Sequence, residues 1–239
     1  MYLDDIFIHS NTAEEHEEHL CITKEILLDV KLFLSKTKVF LFAESVDCLG
    51  FIVNDDGIHP DPEKLRAVAE WPRPQNVNDI LRFMGLANYL MDQVNRLAIV
   101  AGPWTHLTRL DKRWEWGPLE EESFNAVKTA VKDFFILCPI QWESSEDPEH
   151  QVFVICDACP SGVAGILGQG PSWDRVKIAG LWSARLTTTQ SNYPTHQQEL
   201  LAIVGALDKF EDQLLGRRFT VVTDHCSLVY LSSQENLSP

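Results

Sequence analysis

The run QVFVICDACPSGVAGILGQGPSWDRVKIAGLWSARL at residues 151–186, with THQQELLAIVGALDKFEDQLLGRRFTVVTD at 195–224, decides the fold. Gln151–Cys156, Gly162–Leu167 and Val176–Ser183 are short aliphatic runs bounded by Gly, Pro and Ser, the signature of strands. Leu200, Ile203, Val204, Leu207, Phe210 and Leu214 then recur at helical spacing, which predicts one helix over Thr195–Leu215 with Gly216 as its stop. A last strand is expected over Arg218–Thr223. Strand, strand, strand, helix, strand is an α/β order.

Upstream, residues 139–150 turn polar and acidic (QWESSEDPEH), as a linker would, and place a boundary at about Pro148. The middle third reads as helices. Asp61 is a natural N-cap before Pro62 for a helix running to Trp71, and further helices are expected over Asn76–Leu90 and Ser123–Phe135. Nearer the start, Thr12–Val30 has helical spacing. Lys38–Phe42 and Asp47–Val53 read as strands, and Asn54-Asp55-Asp56-Gly57 as a turn. Tyr2–Ser10 alternates like half of a β-hairpin around Asp4 and Asp5, with its partner strand expected before Met1.

Apolar residues at 45% and charged residues at 23% describe a folded chain rather than a disordered one. There is no run long enough to span a bilayer and no signal-peptide pattern, so an intracellular, non-membrane protein is expected. Its scattered cysteines, six in all, suit reduced thiols. A net charge of -15 weakens any phosphate-binding role, because nucleic-acid affinity comes largely from Lys and Arg displacing counterions.

Three carboxylates stand at informative places: Asp157 ending the first strand of the 151–224 block, Glu199 in the first turns of its helix, and Asp224 ending its last strand. Singly, each reads as a strand-end acid or a first-turn acid favoured by the helix dipole. As an ordered set they would repel unless a divalent cation joined them, and magnesium (or manganese) held there could clamp a phosphodiester undergoing hydrolysis. His225, beside Asp224, is a candidate for phosphate contact or proton transfer, or a strand-end residue facing water. Asp4 and Asp5 form a second pair that could meet a metal on a tight hairpin or simply face solvent. Cys156 and Cys159 make a single CxxC; strand alternation puts Cys159 on the side of Asp157 and Cys226 on the side of Asp224. His16 and His19, set among glutamates, read as a solvated helix face.

YLDDIFIHS with EEHEEHL resembles the YxDD motif and following helix of gypsy-type LTR retrotransposon reverse transcriptases, and LGFIVNDDGIHPDPEKLRAVAEWPRPQNVNDILRFMGLANYL is similar to their palm-to-thumb passage. WTHLTRL and RWEWGPLEEESFNAVKTAV resemble the end of the thumb and the connection, and CDACPSGVAGILGQ with the 183–231 stretch resembles the retroelement RNase H domain. The resemblance covers essentially the whole chain. It implies a palm remnant of strands and helices over 1–74, a helical thumb and connection over 75–148, and a partial RNase H-like mixed sheet with one long helix over 149–239, an α+β and α/β combination.

It further implies that Asp4 and Asp5 are palm metal ligands and that Asp157, Glu199 and Asp224 are the first three RNase H carboxylates. The ancestral activities would be RNA-directed DNA synthesis and cleavage of RNA in RNA–DNA hybrids. The family's fingers and third polymerase aspartate would precede Met1, and its fourth RNase H acid would follow Pro239. DNA synthesis by this chain alone is therefore not expected. Met91 and Asp92 stand where the family carries arginines, and Cys156 and Cys159 replace the threonine and serine of its TDAS. The rival expectation is a catalytically inactive relic or a recruited protein-binding module, with a protein partner or self-association in place of nucleic acid.

Overall fold

The computed structural model describes residues 6–90, 93–94, 96–108 and 113–225. The chain divides into two compact units, at Glu44 and Ser45. Asp4, Asp5, Met91, Asp92, Cys226 and the half-hairpin at Tyr2–Ser10, apart from residues 6–10, lie outside the described residues.

In the first unit α1 (Ala13–Asp29) starts where the Thr12 hydroxyl accepts from the Glu15 N–H at 3.2 Å, with Glu14 and Glu15 complementing the helix dipole. It buries only Leu27, while Ile22, Ile26 and Leu28 are exposed. His16 and His19 converge on the Ser10 hydroxyl, at 3.1 and 2.8 Å, and His16 also packs edge-on against Phe42. The strand expected over Lys38–Phe42 does not form. Phe42 takes a φ of 53°, in the left-handed region that ends an extended run, and Phe40, Leu41 and Phe42 are all exposed.

The second unit begins with a three-stranded antiparallel sheet of β1 (Ser45–Cys48), β2 (Phe51–Asn54) and β3 (Gly57–Pro60). The single strand expected over Asp47–Val53 is folded into a hairpin instead. Leu49 and Gly50 both have positive φ, 52° and 83°, as a tight two-residue hairpin turn requires. The Asn54–Gly57 turn forms as expected, with the Asn54 side-chain oxygen accepting from the Asp56 and Gly57 N–H groups.

Helix α2 (Pro62–Ala69) is capped by Asp61, whose carboxylate accepts from the Glu63 N–H at 2.8 Å, and α3 (Val77–Tyr89) by Asn76. Two short helices follow, α4 (Leu97–Val100) and α5 (Gly102–Thr105), and then α6 (Pro118–Ala130). The sequence expectation started α6 at Ser123. It starts earlier because Pro118 is pre-organised for the first turn and the Glu120 carboxylate accepts from the Gly117 N–H at 2.9 Å. Phe83 sits at the centre of this helical core, its ring against those of Trp71, Trp104 and Phe124.

A second core lies under a four-stranded open sheet of order β6-β5-β4-β7, made of β4 (Gln151–Cys159), β5 (Gly162–Gly170), β6 (Lys177–Arg185) and β7 (Thr220–Val222). The first three strands form an antiparallel meander, and β7 joins β4 in parallel after α7 (Thr195–Lys209) and α8 (Glu211–Leu214). One helix was expected over Thr195–Leu215. It breaks at Phe210, which turns into the core, where its ring lies against Gly180.

Val154 and Cys156 share the face packed on Ala202 and Ala206 of α7. The segment expected as a linker is held to the sheet by Gln169, whose amide bonds Gln141 on both backbone groups and the His150 carbonyl. Among the described residues no helix is long and apolar enough to cross a membrane.

Candidate metal centre

Gly165 on β5 allows the helix to approach the sheet: a Cβ there would stand 2.6 Å from the Ala206 Cβ, so only hydrogen fits between strand and helix. That approach carries Glu199, in the second turn of α7, to the C-terminal end of β4. Asp157 stands near that end, and Asp224 follows β7, the parallel neighbour of β4. Asp157, Glu199 and Asp224 each offer an oxygen, and these oxygens all lie within 4.8 Å of one another. It is the one such cluster of histidine, cysteine and acidic groups among the described residues, so neither Cys156 nor Cys159 joins a metal-type cluster there.

The surroundings of the three acids differ. Asp224 is exposed, Asp157 is partly so, and Glu199 is 3% exposed. Burial and then the Asp224 charge push the Glu199 carboxyl above the usual carboxylate range, against the opposing pull of a backbone hydrogen bond from Ala158 and the His225 charge. Its Oε2 is buried with no hydrogen-bond partner. A buried oxygen left unpaired is costly, and Glu199 stands in one cluster with two more carboxylates, so the donor set fits a hard divalent cation.

The neighbours of the triad include groups that the sequence did not single out. Arg96 forms an ion pair with Asp157 through its Nη2 and the Asp157 Oδ2. The residues are 61 positions apart, and no spacing pattern links them. His196, in the first turn of α7, lies with its ring centroid 6.3 Å from that of His225. His225 keeps its place beside Asp224, its N–H bonding the Thr223 hydroxyl.

The two cysteines of the CxxC part company. Cys156 is buried toward α7, its thiol pushed up to about 12 by burial and then by Glu199. For Cys159 burial raises the value, but hydrogen bonds from Ser161 and Gly162 and the Arg96 charge outweigh it and hold the thiol below its usual range.

Residues 1–53 match the family model for reverse transcriptase (RNA-dependent DNA polymerase), and residues 147–239 match that for the RNase H-like domain found in reverse transcriptase. The retrovirus-related Pol polyprotein from transposon gypsy of Drosophila melanogaster is 30% identical over 99% of this chain and 23% of its own length. The transposon Tf2-3 polyprotein of Schizosaccharomyces pombe is 26% identical over 95% of this chain and 17% of its own. The chain thus spans under a quarter of these relatives.

Among solved structures, the foamy viral protease-reverse transcriptase in complex with RNA/DNA hybrid superposes with a TM-score of 0.79 at 21% identity, over 100% of this chain and 32% of that one. The same viral protein in a dRH form, with double-stranded DNA, gives 0.82 at 21% identity over 100% of this chain and 42% of that one. At that identity the likeness speaks for the fold, which is the mixed α and β architecture described above. The chain thus carries a reverse transcriptase match at one end and an RNase H-like match at the other, and aligns along nearly its whole length with Pol polyproteins of the gypsy and Tf2 transposons.

Proposed function

We propose that Asp157, Glu199 and Asp224 hold magnesium or manganese and that the 149–239 region serves hydrolysis of RNA paired to DNA. The observation that carries this reading is the buried Glu199, its Oε2 unpartnered, clustered with two other carboxylates. When bound, a divalent ion at such a site would activate water and neutralise charge on the phosphodiester. The chain's own residues prepare for it. The Ala158 backbone bonds the Glu199 carboxylate and favours its charged form, while Asp224 keeps a solvent-exposed side open to a nucleic-acid backbone. His225, next to that open side, is the residue for phosphate contact.

The division into a palm remnant (1–74), thumb and connection (75–148) and RNase H-like region (149–239) belongs to the same proposal, as do the roles of Asp4 and Asp5 as palm metal ligands and an intracellular location. The RNA–DNA hybrid as partner draws support from the foamy viral protein solved with one. A second reading, a catalytically silent module that binds protein or itself, is favoured by the charge of -15 and by the exposed Ile22, Ile26, Leu28 and Phe33.

Calorimetric titration of the whole chain with manganese separates the two. Binding that Asp157→Asn and Asp224→Asn both abolish, followed by metal-dependent cleavage of a hybrid's RNA strand, is the expected result. Absence of binding in the parent overturns the metal reading and leaves the second.

A further inference from the structure

Arg96 reaches the triad by a built route. Asp157, Ala164 and Ser183 stand in one cross-strand row over β4, β5 and β6. The segment carrying α4 lies across that row. The Ala98 N–H bonds the Ser183 hydroxyl at 3.3 Å, Ile99 fills the space beside Gly162, and the Arg185 guanidinium bonds the Gly102 carbonyl at 2.8 Å. Arg96 itself has a φ of 55° and ψ of 24°, so the chain bends sharply just where its side chain meets Asp157. Three anchors on the following residues and a left-handed turn at the residue itself hold the guanidinium on the Asp157 carboxylate, although both side chains are almost half exposed.

We infer that Arg96 is an internal competitor for the divalent cation at Asp157, so that opening this ion pair tightens metal binding by the triad. The inference rests on the metal reading given above. The Arg96 guanidinium, hydrogen-bonded to Oδ2, competes for the Asp157 carboxylate and repels a divalent ion approaching it, so metal binds more tightly once Arg96 moves away. In the absence of metal, Arg96 compensates one of the three converging charges. Because the segment is anchored to β5 and β6 rather than to α7, opening is a local movement of residue 96 and needs no unpacking of the sheet core.

The test is manganese affinity, measured by calorimetry on the full chain and on Arg96→Asn and Arg96→Lys variants. Asparagine tolerates a left-handed φ, so the first variant removes the charge without adding backbone strain. An exposed ion pair contributes modestly, which sets the expected tightening in Arg96→Asn at about threefold to fivefold, with Arg96→Lys close to the parent. Equal or weaker binding in Arg96→Asn, with the parent binding metal through Asp157, overturns the competition and leaves the metal site standing. No binding in any of the three proteins overturns the metal site and the competition together.

Discussion

Helices α1 and α3 both carry apolar residues at helical spacing, yet α1 buries only Leu27 whereas α3 buries Ile80, Phe83 and Ala87. Their local codes are alike: a polar N-cap and an acid in the first turn. The difference lies in what meets the apolar stripe. Phe83 is enclosed by Trp71, Trp104 and Phe124, rings supplied by segments before and after α3 in sequence. Ile22 and Ile26 meet no comparable layer within residues 6–44 and stay exposed. Periodicity marks the side of a helix that can be buried, and burial itself depends on a partner surface.

That contrast is open to direct attack, most forcefully at Phe83. Truncation by Phe83→Ala should remove about 3–5 kcal/mol of stability, since the ring is fully buried and rigidly surrounded; urea denaturation that shows a loss below 1 kcal/mol would break the comparison. Close approach in the sheet layer is probed by Gly165→Ala. Its new Cβ would meet Ala206 across the strand–helix contact, at an expected cost of about 1–3 kcal/mol by the same measurement.

A smaller effect is expected at Glu199. Its carboxyl is raised by burial and by Asp224, so the folded chain keeps that proton at pH values where the unfolded chain has released it. Stability from this group is therefore greatest below the ordinary glutamate value and declines as pH climbs from there to the raised folded value. Above that window the ionised Glu199 is a standing cost. In a chelating buffer, Glu199→Gln should raise the Tm at about pH 7 and leave it unchanged near about pH 3; a lowered Tm at neutral pH would show that the charge is already compensated. The smallest effect belongs to Ile26→Ala, which should stay within about 0.5 kcal/mol of the parent, and a loss approaching that of Phe83→Ala would mean that the α1 stripe is covered after all.

How far the sequence could be read varies with the range of the interaction involved. Asp61 and Asn76 as caps, the Asn54–Gly57 turn and the existence of β4, β5 and β6 as strands were all legible, because each follows from residues a few positions apart. Lys38–Phe42 misled, since β-prone residues form a strand only when an edge is available to pair with and Phe42 breaks the run. The hairpin within 45–54 was hidden for a related reason: Leu49 adopts a positive φ beside Gly50, which composition did not suggest.

The candidate site divides along the same line. Sequence alone determined that Glu199 would stand near the start of a helix and Asp157 and Asp224 near strand ends, because strand and helix periods are local properties, although β4 runs two residues past Asp157. Only the tertiary structure decided that their oxygens come within 4.8 Å, that Glu199 Oε2 is left unpartnered, and that Arg96 pairs with Asp157. Coulombic and desolvation energies depend on distance through space and on exclusion of water. Both are set here by Gly165 letting α7 close on the sheet and by α4 docking across β5 and β6.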